Sequence, residues 1–177
     1  MKGKPFRWLL AALAYGWLTA SPVWANDDTP GVADIQRILR AVKKPGATVV
    51  VLSVWATWCD SCRKDLPMLL RFFRAHEKEG LRLVLVSADD EANHLAASRF
   101  LAALGVDFPT WMKRDSDLTF LNALDADWIG NLPALFLFDG KGILRHKVYG
   151  ETDEGSLAQA LRRLMTTRSI SSKRTKR

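Results

Sequence analysis

Thr48-Val49-Val50-Val51-Leu52-Ser53-Val54-Trp55-Ala56-Thr57-Trp58-Cys59-Asp60-Ser61-Cys62 is the stretch on which the fold turns. Residues 48–55 are β-branched or apolar almost without a break, as in a strand buried on both faces. From about Asp60 the period becomes helical. Cys62, Leu66, Leu69, Leu70 and Phe73 share one face, Pro67 stands inside the helix where it should kink it, and Gly80 ends it. A C-x-x-C pair therefore lies where a buried strand gives way to a helix.

That placement has chemical consequences. The spacing lets the two sulfurs close a disulfide across the first helical turn. Cys59, at the helix start, lies near unpaired N–H groups and the positive dipole end, which favour a thiolate. Cys62 lies one turn in, more shielded, where it can attack a mixed disulfide formed at Cys59. The pair alone also fits a static disulfide or a metal site. His76, His94 and His146 show no ligand spacing with it, and Arg63 stands where attachment of a c-type haem needs a histidine.

Working outward, Leu81 to Ser87 reads as a second buried strand and Glu91 to Leu104 as a helix closed by Gly105. Strand, helix, strand, helix implies a βαβ unit with a parallel pair. Upstream, Thr29-Pro30 reads as a helix start, with Val32, Ile35, Ile38, Leu39 and Val42 at helical spacing. Downstream, the chain is extended around Phe108-Pro109, and Ser116 caps a short helix carrying Leu118, Leu121 and Leu124. Ala134 to Phe138 and Ile143 to Val148 flank the turn Asp139-Gly140-Lys141-Gly142 as an antiparallel hairpin. Thr152 is the expected cap of a last helix with Leu157, Leu161, Leu164 and Met165 on its apolar face. The sum is α/β: a mixed central sheet flanked by helices.

The 177 residues suit one domain, and 48 % hydrophobic with 25 % charged residues excludes a largely disordered chain. The net charge of +7 belongs to the two ends. Lys2, Lys4 and Arg7 sit in residues 1–25 without an acid, and Arg168, Lys173, Arg174, Lys176 and Arg177 crowd the last stretch. The middle holds slightly more acids than bases, so no folded basic face for nucleic acid is indicated.

Residues 1–25 have the form of a secretory signal: a basic start, an uncharged run from Trp8 to Ala20, then Val23-Trp24-Ala25 as a cleavage site. Cleavage after Ala25 or retention as an N-terminal anchor both place the domain outside the cytoplasm, in the periplasm of a Gram-negative host; a soluble helix is the remaining reading. Residues 168–177 read as a basic disordered tail, able at most to make weak contact with anionic lipid.

Trp55-Ala56-Thr57-Trp58-Cys59-x-x-Cys62, Pro67 five residues on, and Leu132-Pro133 just before Ala134 resemble the active-site signature, kinking proline and cis-proline loop of the thioredoxin superfamily. Cys59-Asp60-Ser61-Cys62-Arg63-Lys64-Asp65-Leu66-Pro67 is similar to the form found in TlpA/ResA-like extracytoplasmic thiol–disulfide oxidoreductases. So are Gly105-Val106-Asp107-Phe108-Pro109 and the helix near Leu118 to Leu124, which match the central helical insertion of that group. The resemblance implies a thioredoxin-like domain over residues 26–167. Cys59 would be the nucleophile, Cys62 the resolving thiol, and Asp65 the acceptor of its proton. Pro133 would be cis, the backbone of Leu132 would meet an extended substrate, and Trp58 would join the docking surface. No cofactor is implied beyond the redox-active Cys59–Cys62 disulfide, and no metal. The implied partners are disulfides of exported proteins, such as apocytochrome c or metalloprotein thiols, with electrons from a membrane thiol donor.

Two departures bear on the chemistry. Ser53 stands where thioredoxin keeps a buried acid, which leaves proton handling to Asp65 or water. Asp60 beside Cys59 opposes the thiolate, which points toward a less oxidising couple and a protein-disulfide reductase. A thiol oxidase or isomerase uses the same pair. A Cu(I)-binding metallochaperone of this fold would use a pair spaced one residue wider with a distant histidine. A peroxidase would place Thr three residues before its cysteine, where this chain has Ala56.

Overall fold

A computed structural model describes residues 31–43 and 46–174. The expected signal at 1–25 and the end of the tail lie outside the described residues. Six strands form one sheet: β1 (Gly31–Ala33), β2 (Val49–Trp55), β3 (Leu81–Ser87), β4 (Trp111–Lys113), β5 (Ala134–Asp139) and β6 (Leu144–Tyr149). The helices are α1 (Ile35–Val42), α2 (Asp60–His76), α3 (His94–Ala103), α4 (Asp117–Leu124) and α5 (Glu154–Arg174).

The order across the sheet is β1-β4-β3-β2-β5-β6. The first three neighbouring pairs run parallel, and β2·β5 and β5·β6 run antiparallel. Every residue of the central strand β2 is buried, as its unbroken apolar run requires. Its side chains alternate between two cores. Val49, Val51 and Trp55 join Leu66, Leu69, Phe72 and Phe73 of α2, Leu101 of α3 and Leu157 and Leu161 of α5. Val50, Leu52 and Val54 join Ile35, Ile38 and Val42 of α1, Phe120 and Leu124 of α4, and Trp128. The sheet is thus mixed and covered on both faces, and α4 is the extra helix expected between α3 and β5.

Four local readings are corrected. The first helix begins at Ile35, not near Thr29. Gly31–Ala33 pairs with Trp111–Lys113 as a strand, and the Asp34 carboxylate caps the helix by accepting from Arg37 N–H at 2.7 Å. Trp111–Lys113 is itself a short strand between β1 and β3. The last helix is capped by Asp153, not Thr152: its carboxylate accepts the Ser156 N–H at 2.9 Å and the Ser156 hydroxyl at 2.6 Å. That helix runs through Arg174, so 168–174 is helical where a disordered tail was expected. No Gly or Pro follows Gly155 to stop it.

Candidate active site

The C-terminal ends of β2 and β3 and the start of α2 build the site. β2 ends at Trp55, and the chain turns through Ala56, Thr57 and Trp58, closed by Cys59 N–H donating to the Ala56 carbonyl at 3.2 Å. Cys59 is extended and caps α2, its sulfur accepting the Cys62 N–H at 3.2 Å. The two cysteines are joined by a 2.05 Å S–S bond, with Cα atoms 5.3 Å apart. Cys59 keeps 8 % of its surface and Cys62 only 1 %, so of the two buried residues the first is the more accessible. Ser61 brings its hydroxyl to 3.5 Å from the Cys59 sulfur, a contact that sequence reading did not anticipate. Asp60 has 86 % of its side chain exposed and lies 3.7 Å from Arg63, where solvent screens its charge.

Behind the disulfide is a small cavity of about 10 Å³, lined among others by Ser53, Cys62, Asp65, Pro133 and Thr152. Pro133 follows a cis peptide bond from Leu132, as expected, and its carbonyl accepts the Gly150 N–H at 2.8 Å. Asp65, half-buried one turn past Cys62, accepts the Thr152 N–H at 3.4 Å. Burial raises its pKa above the ordinary carboxylate value; the Thr152 hydrogen bond moderates the shift and the Glu151 charge adds to it. Cys62, Asp65 and Pro133 thus meet at one cavity. Leu132, partly buried, packs beside both cores, and Trp58 projects outward, 65 % exposed.

Asp89 was not foreseen at all. It lies beyond the end of β3, 1 % exposed, with its carboxylate under the β2–α2 turn. It accepts from the Thr57 N–H at 2.9 Å, the Thr57 hydroxyl at 2.6 Å and the Ser87 hydroxyl at 2.6 Å. The available signal was an acid two residues beyond a buried strand, but only the fold reveals that it meets Thr57. Among the described residues, no group of three or more His, Cys, Asp or Glu side chains is disposed to hold a metal ion. No helix among them is long and apolar enough to cross a membrane.

Comparison with known proteins agrees with this geometry. The chain is 29 % identical over 108 residues to the thiol-disulfide oxidoreductase ResA of Bacillus subtilis, a match covering 61 % of this chain and 56 % of that protein. It is 26 % identical over 112 residues to ResA of Geobacillus thermodenitrificans, covering 63 % and 60 %. The chain therefore spans somewhat more than half the length of the curated relatives it matches. The crystal structure of StoA from Bacillus subtilis superposes with a TM-score of 0.54 at 26 % identity, over 67 % of this chain and 84 % of StoA. A thioredoxin-related protein of Neisseria meningitidis serogroup B gives a TM-score of 0.57 at 27 % identity, over 68 % and 87 %. The fold is thioredoxin-like. With residues 24–147 matching the model of the AhpC/TSA family, the chain belongs to that family.

Proposed function

We propose that this protein is a thiol–disulfide oxidoreductase that reduces disulfides of exported proteins. The observation that carries the reading is the asymmetric Cys59–Cys62 pair at the N-terminus of α2, the first residue the more accessible and the second enclosed beside Asp65 and the cis Pro133. Relatives named thiol-disulfide oxidoreductase support it.

In the reduced protein the Cys59 thiolate attacks one sulfur of a substrate disulfide. A Cys59–substrate disulfide forms, and the other substrate sulfur leaves as a thiolate that takes up a proton. The donors that hold the attacking thiolate are the Cys62 N–H and the helix dipole. Cys62 then gives up its proton and attacks the Cys59 sulfur, which frees the second substrate thiol and restores the disulfide. Two electrons have moved from the protein dithiol to the substrate. Asp65, on the wall of the cavity that Cys62 lines, accepts the proton, and its raised pKa makes it a stronger base for that step. Trp58 and the backbone of Leu132 receive the substrate chain.

The dithiol is returned to its reduced form by a membrane thiol donor, and apocytochrome c or a metalloprotein thiol pair is the substrate class. Residues 1–25 direct the domain to the periplasm or its equivalent, and the basic C-terminal end gives weak contact with the membrane surface. Peroxidase chemistry at Cys59 is poorly served, because the Thr57 hydroxyl is bonded to Asp89.

The deciding experiment is substrate trapping. With the leader intact and Cys62→Ser in place, exported proteins should accumulate as mixed disulfides at Cys59, and Cys59→Ser should trap none. Absence of trapped partners, with the wild type inert toward insulin, would overturn the reading. Tight Cu(I) binding by that inert protein would indicate the metallochaperone instead.

A further inference from the structure

Asp89 lies outside the dithiol chemistry, yet it is the most fully enclosed carboxylate near it. At 1 % exposure its charge has no solvent and is held by donors from two segments. Both oxygens are used. Oδ1 accepts the Thr57 hydroxyl at 2.6 Å, and Oδ2 accepts the Thr57 N–H at 2.9 Å and the Ser87 hydroxyl at 2.6 Å. The Asp89 N–H donates back to the Ser87 oxygen at 3.0 Å, which fixes the carboxylate in its turn.

The segment it grips leads straight to the reactive sulfur. Around Thr57 the chain is pinned twice more: the Trp55 carbonyl accepts the Ala88 N–H at 2.8 Å, and the Ala56 carbonyl accepts the Cys59 N–H at 3.2 Å. Between these fixed points stands Trp58, a large apolar side chain that is 65 % exposed. A flexible turn would let such a ring fold back onto nearby apolar surface; a turn anchored at residues 55, 57 and 59 keeps it outward beside Cys59. The donor that serves the Cys59 sulfur, the Cys62 N–H, belongs to α2 and does not depend on Asp89.

We propose that Asp89 is a positioning residue for exchange with protein substrates. By holding the Thr57 amide and hydroxyl it presents Trp58 and Cys59 as one rigid docking unit. This rests on the oxidoreductase reading above and adds a selectivity to it. A protein disulfide must engage Trp58 and Cys59 together and so depends on Asp89. A small disulfide needs only the Cys59 sulfur and does not.

The test uses the full mature chain, with dithiothreitol as reductant for insulin turnover and removed from the reduced protein before its reaction with dithiobis-nitrobenzoate. Wild type, Asp89→Asn, Thr57→Val and Thr57→Ser are compared for kcat and KM with insulin and for the rate with dithiobis-nitrobenzoate, and each is melted. Asparagine keeps the shape but has one acceptor oxygen for donors that now occupy two. Valine keeps the shape of Thr57 without its hydroxyl, and serine restores that hydroxyl. Asp89→Asn should raise KM for insulin about tenfold, with Thr57→Val next, while the small disulfide changes by no more than about twofold and Thr57→Ser behaves as wild type. If Asp89→Asn does not fold, Thr57→Val against Thr57→Ser decides the matter. Variants that only melt earlier, with both substrates unaffected, overturn the proposal. So does a parallel loss with both substrates, which would mean a general loosening of the sulfur site. A wild type inert toward both substrates overturns the oxidoreductase reading and this proposal with it; an active wild type with indifferent variants overturns the proposal alone.

Discussion

Asp65 and Cys62 stand one helical turn apart on α2 and line the same small cavity, the carboxyl half-buried and the sulfur fully enclosed. Burial raises the pKa of that carboxyl, so the group holds its proton to higher pH than an exposed aspartate and is a stronger base once ionised.

Resolution of a mixed disulfide at Cys59 should therefore accelerate as pH rises through the raised Asp65 pKa. Asp65→Asn should abolish that rise and slow the step by about a hundredfold, the low end of proton-transfer catalysis. Stopped-flow release of a thiol reporter from Cys59 measures it. The same shift has a stability signature. Because the folded state binds this proton more tightly, the Asp65 contribution is present below the ordinary carboxylate pKa and is lost as pH rises through the raised value. Melts across that range should show the slope in wild type and not in Asp65→Asn.

The direction of electron flow can be read from a melt. Strong oxidants owe their potential to a stabilised reduced form, so a reductase should be more stable oxidised. A ring of sequence separation 3 constrains the unfolded chain only slightly. The oxidised protein should melt about 5 °C above the reduced one. A reduced form that melts higher would identify an oxidase.

Ser61 places its hydroxyl 3.5 Å from the Cys59 sulfur, where it can donate to a thiolate. Ser61→Ala should raise the Cys59 thiol pKa and slow alkylation near neutral pH by about fivefold. Iodoacetamide trapping over a pH series in the Cys62→Ser background checks both.

Away from the site, Asp125 accepts from the Lys147 ammonium and the Tyr149 hydroxyl, and these bonds hold its pKa below the usual carboxylate value. Here the sign is reversed: its contribution is present above the ordinary carboxylate pKa and lost as pH falls through the lowered one. Asp125→Asn should flatten the acid side of the stability profile. Denaturant midpoints from neutral pH downward test this.

How much of this was legible in the sequence follows from the range of the interactions. β2, α2 and the β5–β6 hairpin announce themselves by local pattern: an unbroken apolar run, a helical period through Cys62 and Leu66, and a turn of Asp139-Gly140-Lys141-Gly142. The reactive pair is marked by its C-x-x-C spacing after a strand, and the cis bond before Pro133 is expected only through the resemblance to the thioredoxin superfamily. What stayed hidden depends on distant partners. Gly31–Ala33 is a strand only because Trp111–Lys113 lies beside it, and neither has enough residues for a period of its own. Without that pairing Thr29-Pro30 looks like the natural helix start, whereas Asp34 is the cap. The contact of Asp89 with Thr57 spans 32 residues, and no local rule connects an acid after one strand to a turn after another. The extension of α5 to Arg174 escaped notice because serine and arginine there carry no apolar period, although nothing in them breaks a helix.

β6 forms one border of the sheet, and its exposed middle carries Arg145, His146 and Lys147 in succession. The oxidoreductase proposed above would meet exported chains whose backbones are still searching for neighbours, and an uncovered border invites such chains to add on as further strands. Three polar side chains, two of them cationic, make that border a poor template for aggregation. In that role, encounters with incomplete chains would be turned away from the flank of the sheet and left to the end of the molecule that carries Cys59.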